Sequence, residues 1–218
     1  MTAPSNPIRR PGADDESVSE WMMLHKREVT WAVVALAVIV GGVWFYERSQ
    51  SIKAQRAETA YFQARQAVAT GSPAAVANLQ KVVTRYEGTP AGAQAALTLA
   101  QTLYDQKKYK EGIDALKGAE AKAPGDFKAS VYVVEAAGYE ELKNFVAAAQ
   151  QYEAAAKATR FPAEKAEYQA DAARDYAAAG KTDLAKAIWT ELAKDETSPL
   201  AAEAHVRLGE LSAKPMTT

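Results

Sequence analysis

The sequence predicts an all-α protein in which one apolar helix near the N-terminus precedes a solenoid of stacked helical hairpins. Three observations predict it. Residues 29–46 form an uncharged run, apolar and small residues recur three and four apart from Ala54 onward, and a self-similar segment returns every 36 or 37 residues. No stretch alternates with the period of two that a half-buried strand requires.

The chain of 218 residues suits one globular unit plus an appendage, since its first fifty residues differ in composition from the rest. Residues 1–28 read as a disordered cytoplasmic tail: Pro4, Pro7, Pro11, Gly12 and the acidic run Asp14-Asp15-Glu16 leave little to bury. Residues 29–46, VTWAVVALAVIVGGVWFY, are 18 uncharged residues bracketed by Lys26-Arg27-Glu28 and Glu47-Arg48. As a helix they reach about 27 Å, close to the hydrocarbon thickness of a bilayer. Trp31 at one end and Trp44, Phe45 and Tyr46 at the other fall where aromatic rings prefer the headgroup boundary. A cleaved signal peptide would need small residues after the apolar run, whereas Val43, Trp44, Phe45 and Tyr46 follow Gly42, so an uncleaved transmembrane anchor is expected. Arg9, Arg10, Lys26 and Arg27 on one side face Arg48, Lys53 and Arg56 on the other. That narrow excess, with the basic pair beside a first segment, leans to a cytoplasmic N-terminus and a domain on the far side.

Residues 47–55 continue as a helical lead-in, residues 56–213 form the repeat domain, and 214–218 are a short tail. Within the repeats, KKYKEGIDAL from 107, KNFVAAAQQY from 143 and GKTDLAKAIW from 180 superpose, with starts 36 and 37 apart. Upstream of each, a small residue is followed three later by a larger one: Ala100 with Leu103, Ala136 with Tyr139, Ala173 with Tyr176. The second helices carry Gly112, Leu116 and Ala119, then Ala148, Tyr152 and Ala155, then Ala185, Trp189 and Leu192. Small residues let the helices of one hairpin approach and large ones fill the gap to the next. Units therefore begin near 56, 93, 129, 166 and 202, the first degenerate with Ala75 and Leu79 on its second helix. The last is one closing helix from Pro199 to Leu211, with Ser198-Pro199 expected to match Thr89-Pro90 as a cap followed by proline. This pattern resembles the tetratricopeptide repeat, whose usual period of about 34 residues is slightly shorter.

Composition excludes several functions. A net charge of −1, with lysines scattered along the chain, predicts no nucleic-acid partner. The absence of cysteine removes thiol nucleophiles and cysteine-based zinc sites. His25 and His205 stand far apart without an HExxH neighbourhood, and Gly180-Lys181-Thr182 lacks the upstream glycine of a phosphate loop, where Asp175 stands instead. Glu140-Glu141 and Glu167 with Asp171 read as solvated helix faces. No enzyme, no metal, no cofactor and no small-molecule substrate are expected.

A protein partner is expected instead, because the first helices of such hairpins line a concave face that captures peptides or helices. The register places Gln94, Thr98, Gln101, Tyr104 and Asp105, then Ser130, Val134, Glu140 and Glu141, then Glu167, Asp171 and Arg174 on that face. Their acidic excess predicts a basic or amphipathic segment. The lysine and asparagine arrangement with which some tetratricopeptide domains clamp a C-terminal carboxylate is absent from these positions.

A short tail, one anchor, an unbroken helical lead-in over residues 49–69 and alanine-rich repeats to the end resemble the bacterial ancillary SecYEG translocon subunits. That resemblance implies an inner-membrane protein with a periplasmic repeat domain, working beside the export channel and a membrane-bound periplasmic chaperone. The repeats also resemble an outer-membrane assembly lipoprotein, which would need a lipobox cysteine, and a periplasmic cell-division coordinator, so an envelope-biogenesis or division scaffold stays open. A further alternative is a structural subunit of a larger membrane assembly, contacting its partners through the transmembrane helix at Gly41-Gly42.

Overall fold

The structure is a computed structural model and describes residues 21–213, so most of the expected N-terminal tail and the tail at 214–218 lie outside the described residues. The chain divides into two compact units, Met1–Ile52 and Lys53–Thr218. Among the described residues there is helix and turn but no strand.

In the first unit, residues 21–24 form a helical turn and α1 (Lys26–Ala69) begins three residues before the uncharged run. The backbone explains the early start: the Val29 amide donates to the His25 carbonyl at 2.9 Å, so the charged bracket residues are drawn into helix instead of tail. Helix α1 is long and apolar enough to cross a membrane, and none of its apolar window is buried.

From Lys53 onward the second unit is a succession of antiparallel helices: the C-terminal part of α1, then α2 (Ala75–Arg85), α3 (Pro90–Asp105), α4 (Tyr109–Glu120), α5 (Gly125–Glu141), α6 (Phe145–Ala158), α7 (Pro162–Ala178), α8 (Thr182–Leu192) and α9 (Ala201–Ser212). From α2 on, each helix packs on the next in sequence, and α3 also packs on α5, the pattern of stacked hairpins.

One turn recurs. At each of residues 71, 107, 143 and 180 the chain enters the left-handed region: Gly71 at φ +64°, Lys107 at +60°, Lys143 at +58° and Gly180 at +72°. Around each, two amides bond back into the last helical turn, as Lys108 to Leu103 and Lys107 to Tyr104, or Lys181 to Tyr176 and Gly180 to Ala177. This is the Schellman closure, which satisfies orphan carbonyls and reverses the chain. The three superposed sequence segments start on these residues, and Gly71 extends the series one unit towards the N-terminus.

The residues that specify the stack are interior. Ala100, Ala136, Ala148, Ala155, Ala173 and Ala185 are fully buried, and Leu79, Leu116 and Trp189 fill the spaces between hairpins. Two apolar clusters result, one over α1–α5 and one over α5–α9, with Tyr139 packed against both. Alanine lets helix axes close in, and burying each large side chain adds about 2 kcal/mol.

Two expectations need correction. Thr89 does cap α3, accepting from the Gly92 amide at 3.1 Å ahead of Pro90. Ser198 does not cap the closing helix: its Oγ accepts from the Leu200 amide at 3.3 Å, and its carbonyl from the Ala201 amide at 3.1 Å. That i+3 bond makes a tight turn of Ser198-Pro199, and α9 starts two residues later, at Ala201. Tyr104 belongs to the core, not to a groove. Its ring lies so close against Gly112 and Gly138 that a Cβ added at either would collide with it, and its hydroxyl donates to the Val134 carbonyl at 3.1 Å.

Candidate functional site

The first helices of the hairpins set the remaining candidate residues in stripes. On α3, Gln94, Thr98, Gln101 and Asp105 follow one another at helical spacing; Gln101 donates to Asp105 at 3.3 Å, and Thr98 meets the Tyr61 hydroxyl of α1 at 3.0 Å. The repeat register does not reveal Tyr61, because the first unit is the degenerate one. On α5, Val134 is half-buried with its carbonyl engaged by Tyr104. Ser130 stands apart, in a cleft of about 420 Å³ at the start of α5 that also touches Asp126, Arg160 and Tyr168.

The chemistry concentrates along α5, α6 and α7, where α6 packs on each of the other two. Glu140 of α5 is half-buried and accepts from the Tyr152 hydroxyl of α6 at 3.5 Å. Asp171 lies one turn before Asp175 on α7, so the two share a face. Asp175 is 5% exposed, and its Oδ2 has no hydrogen-bond partner. Burial, then repulsion from Glu140 and Asp171, pushes its carboxyl up to about 7. Glu140 is raised by burial and by Asp171, and Asp171 by burial against the pull of Arg174. The arginine beside them is already committed: Arg174 pairs with Asp171 and grips Glu203 of α9 through bonds of 3.0 and 2.7 Å. Glu141 and Glu167 are exposed beside this group. In the sequence Asp175 stands out only as the residue that spoils a phosphate loop; its place one helical turn after Asp171 is the signal that points to the site.

A second buried carboxylate lies between α5 and α4. Glu135 is completely buried and neither oxygen has a partner. Burial, then repulsion from Glu120, pushes it up to about 7 against the attraction of Lys117. Nearby, Tyr132 donates to Glu120 at 2.8 Å. Among the described residues no group of three or more His, Cys, Asp or Glu side chains could hold a metal ion.

Comparison with known families matches residues 19–212 to the tetratricopeptide repeat-like domain. Among solved structures, the kinesin light chain with nearly identical TPR-like repeats from Podosopora anserina superposes with a TM-score of 0.53 at 16% identity, covering 72% of this chain and 86% of that one. A point variant of that same protein gives the same score and identity over 72% and 85%. These similarities concern the fold. No curated protein matches the sequence.

Proposed function

From the premise that the chain belongs to the tetratricopeptide repeat-like domain family, we propose that it is a membrane-anchored protein-interaction subunit whose repeat domain holds a basic or amphipathic segment of a partner. The observation that carries this reading is the acidic excess of the first helices: among the described residues Glu140, Glu141 and Glu167 have no ion-pair partner, and Asp171 shares its arginine, Arg174, with Glu203. An unburied apolar stretch in α1 supports the anchor, since water-exposed apolar surface of that extent is costly unless lipid covers it. Gln94, Thr98, Gln101, Asp105, Glu141 and Glu167 extend the same binding face. Repeat folds of this kind act as interaction scaffolds, and the chemistry on this face is suited to electrostatic recognition instead of bond-making.

The architecture further supports a place in the bacterial inner membrane, with the repeats in the periplasm serving newly exported proteins beside the Sec translocon and a membrane-bound chaperone. The test is protease protection in intact cells whose outer barrier alone is permeabilised. Digestion of the repeat domain is the expected result; protection, with lysis controls, puts the repeats in the cytoplasm and removes the export role. A second reading, a structural subunit that contacts partners through its span, draws on Gly41 and Gly42, where an added Cβ would meet nothing within 4 Å. Exchanging the span for an unrelated one abolishes partner co-purification only under that second reading.

A further inference from the structure

We propose that the crevice between the C-terminal part of α1 and α2, walled by Arg56, Lys81 and Arg85, holds an extended segment of a partner protein by its acidic side chains. This is a second surface, separate from the acidic face of the first helices and opposite to it in charge.

Two clefts, of about 250 and about 370 Å³, adjoin there, since Ala60, Gln63 and Tyr86 line both. Together they make one trough along α1 from Gln55 to Ala64, about 13 Å by helical rise. Arg56 stands in the larger cleft, Lys81 and Arg85 in the smaller, and the Arg85 guanidinium lies over the Tyr86 ring, 5.9 Å from its centre. The two walls are tied at one end, where the Lys53 ammonium donates to the Glu87 carbonyl at 3.1 Å. Among the described residues no acidic side chain lines the trough: Glu87 is paired with Lys122, and Glu58 is not part of the walls. Nor is Arg56, Lys81 or Arg85 in an ion pair with any described residue. The clefts at the start of α5 and beside Trp189 differ, for there Arg160 pairs with Asp126 and Arg207 with Glu210 within the lining itself. A concave surface lined by one sign of charge concentrates the opposite charge.

The neutral lining decides which kind of anion fits. Gln55, Gln63 and Asn78 each offer an amide donor and a carbonyl acceptor, which match the N–H and C=O of a peptide; a phosphate group would use the donors and leave the acceptors unpaired. The dimensions favour an extended chain. At about 3.4 Å per residue, about four residues fill the trough, whereas a helix about 10 Å across is too wide for clefts of this volume. Cations stand in both clefts, so two acidic side chains at positions i and i+2, which point the same way from an extended chain, can each meet one.

Pairing of this kind has a measurable signature. Each solvated ion pair contributes up to about fivefold in affinity, so two acidic side chains account for about tenfold at low salt. Salt at about 1 M, where the screening length is about 3 Å, should remove most of that preference. The preference should also depend on where the cations stand and not on the net charge of the chain.

The test uses the full chain in a nonionic detergent and two short labelled peptides, blocked at both ends and identical except for aspartate or asparagine at two central positions, i and i+2. Binding is followed by fluorescence anisotropy at low salt. The expected result is that wild type binds the aspartate peptide about tenfold more tightly than the asparagine peptide, that Lys81→Glu and Arg56→Glu each remove most of this preference, and that the same reversal at Lys110 or Lys165 leaves it in place. All four side chains are exposed, so circular dichroism should be preserved; Lys81→Gln and Arg56→Gln serve, with a smaller loss, if a reversal disturbs it. Equal binding of the two peptides, no binding up to about 1 mM, an unchanged preference in Lys81→Glu, or an equal loss in Lys110→Glu overturns the trough. Displacement of the aspartate peptide by phosphatidylglycerol added to the micelles at constant ionic strength would make this a lipid site and overturn the peptide assignment. The acidic face is tested apart from it: Glu140→Lys and Glu141→Lys should leave the preference for aspartate in place.

Discussion

Replacing Glu135 with glutamine should remove a pH-dependent penalty from the middle of the repeat domain. In the folded protein this carboxyl is completely buried, without partners, and raised from 4.5 to about 7. The native state therefore keeps a proton that the unfolded chain releases above its ordinary pKa. Stability contributed by the neutral form is intact below pH 4.5, falls as pH rises towards 7, and levels off above the folded pKa. A rise of that size corresponds to about 3 kcal/mol, at about 1.4 kcal/mol per unit. The glutamine amide is also buried and imposes its own cost, but that cost does not titrate, so the comparison is of the mutational effect at two pH values. For a domain of this size 1 kcal/mol moves the melting temperature by about 2–4 °C. Relative to wild type, Glu135→Gln should gain up to about 6–12 °C on going from pH 5 to pH 8. Thermal unfolding of the detergent-solubilised chain, followed by circular dichroism, measures it. Asp175 titrates in both proteins and cancels in the difference. A mutational shift equal at the two pH values would refute a buried, ionising Glu135.

The remaining substitutions act on the repeat scaffold. Lys107 and Lys143 occupy left-handed positions that Gly71 and Gly180 fill in the equivalent turns, so Lys107→Gly and Lys143→Gly should each raise stability by about 0.5–1 kcal/mol in urea unfolding, the relieved strain exceeding the added unfolded-state entropy. Gly138→Ala would drive a methyl into the Tyr104 hydroxyl and set it 2.8 Å from Ile113, and should destabilise by about 1–3 kcal/mol; combining it with Tyr104→Phe should recover part of that loss. Trp189, at 1% exposure, anchors the C-terminal hairpin, and Trp189→Ala should cost about 3–5 kcal/mol. Hydrogen exchange should show lost protection in α7–α9 before α3 and α4, since a solenoid transmits stability through neighbouring interfaces.

The repeat is legible in the sequence because its geometry repeats. A hairpin needs a left-handed turn, a close helix approach and a large gap-filler, so residues 107, 143 and 180 follow Ala100, Ala136 and Ala173 at one constant offset along the chain. Where one residue could serve two purposes, the letters are mute. Tyr104 sits at a position compatible with either a groove or a core, and it is buried because two glycines on separate helices, Gly112 and Gly138, leave room for its ring. Ser198-Pro199 has the same pattern as a capped helix start, yet Leu200 adopts helical angles without a side-chain cap, and the helix begins at Ala201. Local composition permits both geometries; only the packing of α9 on α8 chooses. The acidic face is half legible. Glu140 and Asp171 follow from the register, while the burial of Asp175 comes from the packing of α7 against its neighbours, which no local pattern reports.

The two buried carboxylates set how the stability of the repeat domain depends on pH. Glu135 and Asp175 are both raised to about 7, and both weaken the free domain above neutral pH. Their surroundings differ in one respect: Glu135 is wholly enclosed between α5 and α4, with Lys117 acting on it, whereas Asp175 has two half-buried carboxylates beside it and no cation acting on it. Glu135→Gln and Asp175→Asn should therefore each gain stability relative to wild type on going from pH 5 to pH 8, since each removes a carboxyl that the folded chain holds protonated up to about neutral pH. Thermal unfolding of the two single variants and of the double variant, followed by circular dichroism at both pH values, measures it. The charges that act on the two carboxyls are different, Glu120 and Lys117 on Glu135 but Glu140 and Asp171 on Asp175, so the double variant should gain the sum of the two single shifts; a shift in Asp175→Asn equal at the two pH values would refute a buried, ionising Asp175.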